Sequence, residues 1–407
     1  FSFTNSSEGY SRNETSVGNN LYEALVQFFT IFSELQGNEF FIAGESYGGK
    51  YVPAASYTIL KRNPNKEIKI NLKGIAIGNG LCDPAHMMLY GDHLYQMGLI
   101  DVNAREHFYQ VEHLIRQRIS EQDWESAMEL RLSLLDDYLY NLTDYKYLYN
   151  FLYTRNPRRF GDYDIYLQQE ETRKAIHVGD SEYHDSDLVA IYLSDDVMQS
   201  ISPWLVELLA NYRVLIYSGQ LDLRISYTLT LGYLQALEWD GAQEYRIADR
   251  YQWHVGADLA GFVKTAANLT EVLVRNSGHM VPTDQPEWAY TLISKFGFWN
   301  KVLTCIDRIQ KRLQDSNMNF HDADLDLKSL WDHFHDKKSF GHLRYRQTDR
   351  NTGRDGSASY RGEPGKKNGS ASYRGEPGKK NGSASYRGEP GKNNGSASYR
   401  GEAGTSY

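Results

Sequence analysis

Apolar positions at Leu21, Ala24, Leu25, Phe28, Phe32 and Leu35 recur every three or four residues, which predicts a helix, and Gly37 ends the run. Phe40-Phe41-Ile42-Ala43 follows as a short continuous apolar run, the pattern of a buried strand. Lys50 to Lys61 carries Tyr51, Ala54, Ala55, Tyr57, Thr58 and Ile59 and predicts a second helix, with Pro53 tolerable only near its start. Ile68, Ile70 and Leu72, then Ile75 and Ile77, alternate as a strand does. From about Leu81 to Ser202 the pattern turns helical and charged, and Leu114, Trp124, Met128, Leu130, Leu134 and Leu135 mark packed helices. Val214-Leu215-Ile216-Tyr217 and Val272-Leu273-Val274-Arg275 are two further strand-like runs, and Trp288 to Trp299 reads as the last helix. Strands separated by helices predict an α/β protein, with the long helical stretch inserted as a cap between two parts of one core.

This organisation divides the chain into a first core part (1–80), a helical cap insertion (81–205), a second core part (206–303) and a low-complexity tail (304–407). The tail has its own logic. A 13-residue unit, Gly356-Ser357-Ala358-Ser359-Tyr360-Arg361-Gly362-Glu363-Pro364-Gly365-Lys366-Lys367-Asn368, restarts at Gly369, Gly382 and Gly395. Its glycines do not fall at every third residue, which excludes collagen. It lacks aliphatic residues to bury, so disorder is expected. Of the net charge of −8, the stretch from Gly356 to Tyr407 contributes nine Lys/Arg and four Glu, or +5, which leaves the remainder at −13. An acidic body argues against nucleic-acid binding by the core. The Tyr-Arg-Gly units of the tail could hold RNA weakly by stacking and charge, so a tail-driven interaction protein stays among the competing functions. No run approaches the roughly 18 apolar residues of a membrane span.

The chemistry enters at Gly44-Glu45-Ser46-Tyr47-Gly48-Gly49, which fits the nucleophile-elbow pattern G-x-S-x-G between a predicted strand and a predicted helix. A serine on so tight a turn needs small neighbours, and Gly44 and Gly48 are expected to supply that room. The alternative is a glycine-rich surface turn with an idle serine. The strand-like run at 214–217 ends in Ser218-Gly219-Gln220-Leu221-Asp222, and the run at 272–275 is followed by Asn276-Ser277-Gly278-His279. The order is therefore serine, then an acid after a strand, then a histidine after a strand. This is the triad order of α/β-hydrolases, not that of the chymotrypsin or subtilisin types. Ser46 is the expected nucleophile, His279 the base and Asp222 the orienting acid. Asp240, Asp258 and Asp284 compete with Asp222, which is preferred because it alone directly follows an apolar strand. Asp284 is expected to order the loop after His279. The backbone N–H of Tyr47 is the expected oxyanion donor from the elbow.

Four ordered segments resemble the serine carboxypeptidases, in the form seen in their vitellogenic-like members. They are Gly44-Glu45-Ser46-Tyr47-Gly48-Gly49-Lys50-Tyr51-Val52-Pro53, Ile77-Gly78-Asn79-Gly80-Leu81-Cys82-Asp83-Pro84, Tyr217-Ser218-Gly219-Gln220-Leu221-Asp222 and Gly278-His279-Met280-Val281-Pro282-Thr283-Asp284-Gln285-Pro286. The opening Phe1-Ser2-Phe3-Thr4 and the stretch from Arg173 to Val178 also resemble family segments, and the likeness covers about residues 1 to 303. It implies an α/β-hydrolase fold and release of C-terminal residues from peptides or proteins at acid pH through an acyl-enzyme. It also implies that Glu45, when protonated, donates a hydrogen bond to the peptide's C-terminal carboxylate. No cofactor is implied.

The family's N-G-G-P-G loop, which supplies a second oxyanion donor and an asparagine, has no counterpart here. Residue 1 is Phe and only 45 residues precede Ser46, so the chain reads as a fragment whose first core strands are expected to be missing. Two competing readings follow: a catalytically inactive remnant, and an esterase or acyltransferase on the same scaffold. Sequons at Asn5, Asn13, Asn141 and Asn268 suit a glycoprotein of the secretory route, lysosomal or extracellular. The two cysteines, Cys82 and Cys305, show no pairing pattern, and no metal-ligand spacing or phosphate loop appears. Tyr138, Tyr140, Tyr145, Tyr147, Tyr149 and Tyr153 either line a substrate cleft or pack; His177 is expected to be structural.

Overall fold

The computed structural model describes residues 4, 6–157, 163–179, 183–184 and 186–297 of the 407. Asn5, Cys305, the last residues of the Trp288–Trp299 segment and the whole repeat tail lie outside the described residues.

Helix α1 (Glu14–Ile31) starts where Asn13, in an extended conformation, accepts the Ser16 N–H on its side chain. It leads to β1 (Phe40–Glu45), and α2 (Gly48–Arg62) follows two residues later. Pro53 is the sixth residue of α2, past the first turn, and the Gly49 carbonyl that its missing N–H leaves free accepts from the Cys82 thiol at 3.5 Å. Strand β2 (Leu72–Gly78) completes a β-α-β unit. The crossover helix is what lets β1 and β2 run parallel, since a tight turn cannot reverse the chain twice. The described residues between 79 and 212 are mainly helical, with long helices at Val102–Ser120 and Trp124–Leu132 and a π-helical stretch at Ser133–Leu139. The helix Ser202–Asn211 packs on α2 and returns the chain to β3 (Arg213–Gly219). Strands β4 (Arg250–Val255), β5 (Asp258–Ala266) and β6 (Leu269–Val274) complete a six-stranded sheet of order β1-β2-β3-β6-β5-β4. The first four positions in that order are parallel and the β6-β5-β4 edge is antiparallel.

The side-chain period of two sorts the core onto two faces. Ile75 and Ile77 of β2, with Val214 and Ile216 of β3, join one cluster with Tyr22, Val52 and Ile59. Ala76, Leu215 and Tyr217 face the opposite way, against Trp253, Val263, Val272, Val274, Leu292 and Phe296. Burying each Val, Leu or Ile contributes about 1.5–3 kcal/mol before entropy is counted. The helical residues 286–297 cover this second face, and Arg213 Nη1 donates to the Phe296 carbonyl at 2.7 Å. The fold is the α/β class that the alternation of runs predicts. The pair β4 and β5 was not legible, because five of the six residues of β4 are exposed or only partly buried and give no apolar run.

Candidate active site

The register aligns the C-terminal ends of the parallel strands. Glu45 lies beside Gly78, Gly78 beside Tyr217, and Gly219 beside Val274. The loops that follow therefore open at one end of the sheet, where ligands of open α/β sheets bind. Ser46, Asn79, Asp222 and His279 all come from those loops.

Ser46 occupies the gap between β1 and α2 with φ at +61°, a left-handed conformation that a non-glycine residue adopts only when its surroundings enforce it. They do. Its N–H donates to the Gly78 carbonyl at 3.0 Å, and its carbonyl accepts from the N–H groups of Gly49 and Leu81, both at 3.0 Å. The expectation about the flanking glycines needs correcting at one of them. A Cβ on Gly44 would stand 2.7 Å from Val52 Cγ2 and 3.1 Å from the Gly48 Cα, so that position has no room for one. A Cβ on Gly48 would meet open space. The second tight position is Gly49, where a Cβ would crowd Gly80 at 2.8 Å. Tyr47 immediately precedes α2, so its backbone stands at the electropositive helix start.

His279 is 3% exposed, and its Nδ1 lies 2.7 Å from Asp222 Oδ2. Its Nε2 is buried and makes no hydrogen bond among the described residues, so Ser46 is not in hydrogen-bond contact with it here. Asp222 is fully buried, and four donors hold it. Oδ2 faces His279 and accepts from Asn79 Nδ2 at 2.7 Å; Oδ1 accepts the N–H groups of Arg224 at 2.8 Å and Ile225 at 3.2 Å. A carboxylate so held has little freedom to rotate away from the imidazole. Asp284 takes the place expected for it, accepting the Gly278 N–H at 2.8 Å.

Asn79 is a site residue to which the sequence pattern assigns no task. It is fully buried with φ at +41°, and its Oδ1 also accepts the Gly219 N–H at 3.0 Å. Asn is among the few side chains that tolerate this conformation, so Gly78-Asn79-Gly80 at a strand end was the available signal. Tyr149 was one name in a tyrosine cluster, yet its ring stacks on His279 with centroids 4.9 Å apart. Of the others, Tyr145 stacks on Phe151, Tyr147 is buried and Tyr153 is exposed. His177 is exposed, just after the helix Glu170–Ala175.

Burial pushes the Glu45 carboxyl up to about 7; the nearby His279 pulls it down and Asp222 pushes it up again. Glu45 Oε2 is buried and lacks a hydrogen-bond partner. A cleft of about 540 Å³ opens beside Ser46, lined by Leu21, Ile42, Gly44, Glu45, Tyr47, Tyr51 and Val52; His279 and Asp222 are not in its walls. Among the described residues no group of three or more His, Cys, Asp or Glu side chains could hold a metal ion, and no helix is long and apolar enough to cross a membrane. Cys82 is buried and forms no disulfide among the described residues, and burial pushes its thiol up to about 12. Asn13, Asn141 and Asn268 are all exposed, and Asn268 Nδ2 donates to the Leu209 carbonyl at 2.9 Å.

Comparison with known proteins adds the following. The profile of a family described as serine carboxypeptidase matches residues 1–298. The venom serine carboxypeptidase of Apis mellifera is 50% identical over 305 residues, 73% of this chain and 65% of that protein. The vitellogenic carboxypeptidase of Aedes aegypti is 42% identical and the probable serine carboxypeptidase CPVL of Homo sapiens 41% identical, each over 73% of this chain and 64% of the relative. The chain thus spans just under two thirds of the length of these relatives. Among solved structures, the prohormone-processing carboxypeptidase Kex1(delta)p from Saccharomyces cerevisiae superposes with a TM-score of 0.61 at 22% identity, covering 72% of this chain and 68% of that one. At that identity the likeness concerns the α/β-hydrolase fold.

Proposed function

Because this chain belongs to the serine carboxypeptidase family, we propose that it carries a serine-type carboxypeptidase site that removes C-terminal residues from peptides at acid pH. Ser46 Oγ attacks the last peptide carbonyl. His279 takes the serine proton and delivers it to the departing amino acid, and water then cleaves the acyl-enzyme. Asp222 holds the imidazole tautomer with the proton on Nδ1 and balances the imidazolium. The Tyr47 N–H stabilises the oxyanion. Glu45, neutral in the acid range, donates to the substrate's terminal carboxylate.

The observation that carries the reading is the 2.7 Å contact of His279 Nδ1 with an Asp222 anchored on three further donors, beside a serine held at positive φ. Long serine–histidine separations are common before substrate binds, so the absence of a Ser46–His279 bond does not weigh against it. The core and cap division at residues 81–205 belongs to the same proposal, as does a secretory-route glycoprotein, lysosomal or extracellular. Asn13, Asn141 and Asn268 are its exposed glycan acceptors among the described residues.

The test is release of the C-terminal amino acid from an N-blocked dipeptide at pH 5, before and after Ser46→Ala. The substitution is expected to lower the rate by at least about 10⁴-fold. Release that survives in the variant overturns the assignment of Ser46. Hydrolysis of the matching ester without the peptide moves the reading to an esterase.

A further inference from the structure

The segment from Tyr147 to Phe151, inside the inserted helical region, forms a short strap across the two loops that carry Asp222 and His279. The Leu148 carbonyl accepts the Leu223 N–H at 3.0 Å, one residue past the acid. The Tyr149 carbonyl accepts the His279 N–H at 2.6 Å. The Phe151 N–H donates to the Leu221 carbonyl at 2.8 Å, one residue before the acid. Asn150 Nδ2 donates at 2.9 Å to Asp284 Oδ2, the same oxygen that accepts the Gly278 N–H. The strap therefore holds the residues on both sides of Asp222 and the backbone of His279 itself.

The fit leaves no slack. A Cβ on Gly278 would overlap the Tyr149 carbonyl oxygen and stand 2.8 Å from the Asn150 Cβ. The strap is closed on itself, with the Lys146 N–H donating to the Thr154 carbonyl at 2.8 Å and the Tyr145 and Phe151 rings stacked at 6.2 Å. Above it, the Tyr149 ring lies on the His279 imidazole at 4.9 Å and 30°, and the Tyr147 ring braces Tyr149 edge-on at 5.5 Å. An imidazole with Asp222 on its Nδ1 side can still tilt about that bond. A ring stacked on its face removes the tilt.

We propose that Tyr149 is the positioning residue for His279: its ring sets the plane of the imidazole, and its carbonyl sets the height of the loop that carries it. The proposal rests on the reading of His279 as the base. An imidazole that takes a proton becomes a cation, and the Tyr149 π-face then stabilises it as well as orienting it. The transition state gains from the stack while substrate binding does not, so the effect belongs in kcat.

The experiment compares Tyr149→Phe, Tyr149→Leu and Tyr149→Ala, each first shown to melt cooperatively. Phe keeps the stacked ring, Leu keeps apolar bulk without a π-face, and Ala keeps only the backbone. Two readouts are taken: steady-state hydrolysis of an N-blocked dipeptide, and the strongly downfield proton resonance of the His279 Nδ1–H···Asp222 bond. Tyr149→Phe is expected to match the parent in both. Tyr149→Ala and Tyr149→Leu are expected to lower kcat about tenfold with KM held within about twofold, and to shift or broaden the resonance. An unchanged resonance in Tyr149→Ala overturns the proposal, as does a loss confined to KM. If the parent shows the resonance but releases no amino acid, the carboxypeptidase reading fails, and the resonance of the variants still decides whether Tyr149 positions His279.

Discussion

At the scale of single residues, the site depends on polar groups that have no room to be wrong. Asn79 ties the Asp222 carboxylate to the Gly219 backbone from a fully buried position. Asn79→Ala is expected to destabilise the fold by about 1–3 kcal/mol, because two buried partners lose their hydrogen bonds. It should also lower kcat by about tenfold, equivalent to 1.4 kcal/mol on the barrier. Urea denaturation and steady-state kinetics on the same preparation check both. In the proposed reaction Glu45 sets the pH dependence. Its carboxyl is raised to about 7 from an ordinary 4.5, mainly by burial, so it remains a donor throughout the acid range. As pH climbs through about 7 it ionises and repels the substrate carboxylate, so KM for peptides should rise there. Glu45→Gln is expected to flatten that rise, and a KM profile with an unchanged bend would remove Glu45 from carboxylate recognition.

Secondary-structure elements are joined by a second buried charged group, away from the reacting atoms. Lys50, in the first turn of α2, is fully buried and donates to Asp196 Oδ2 at 3.0 Å and to the Asp196 carbonyl. Asp196 belongs to the short helix Ser194–Val197, and its Oδ1 accepts the N–H of Glu14 at the start of α1. One carboxylate thus fastens the helix Ser194–Val197 to both α1 and α2. Removing it leaves a lysine stranded, and Asp196→Ala is expected to cost about 3–5 kcal/mol of stability. The Glu14 side chain is buried without a hydrogen-bond partner, and burial followed by the Asp196 charge raises it to about 8. The folded protein therefore keeps Glu14 neutral where the unfolded chain has already ionised it. Its contribution is fully present below about 4.5 and is lost as pH rises towards about 8. Glu14→Gln should abolish that slope, read as urea midpoints at pH 5 and pH 8. None of this was visible in the pattern, since Glu14, Lys50 and Asp196 are far apart in sequence and look like ordinary surface charges.

On the scale of the whole molecule, both hydrophobic faces of the sheet are built from residues up to Phe296 among those described. Phe296 fills the second hydrophobic face and its carbonyl holds Arg213 at the start of β3. The match to the family also ends at residue 298. Truncation after Leu303 keeps every residue of the family match, and is therefore expected to leave the melting temperature unchanged and the rate of peptide release within about twofold of the full chain. A large loss of activity on truncation would give the repeats a part in the function. The sheet is asymmetric as well. Among the described residues β1 pairs only with β2, and its partly buried residues flank the cleft beside Ser46.

The sequence by itself determined what depends on neighbours along the chain. The strand before Ser46, the helix after it, and the order of serine, acid and histidine behind apolar runs follow from local period and turn chemistry, which act over a few residues. The alternation of Ile75, Ala76 and Ile77 likewise told which side chains share a face, because the period of a strand is a local property. Only the tertiary structure decided which distant groups meet. Asn79 reaches Asp222 across 143 positions and Lys50 reaches Asp196 across 146. The imidazole of His279 lies under Tyr149, which comes from a segment distant in sequence. Gly48 proved spacious and Gly49 tight for the same reason: the room around a residue is set by elements packed from elsewhere, whose approach no local pattern encodes. Burial, which raises Glu45 and Glu14, arises only when those elements come together and exclude water.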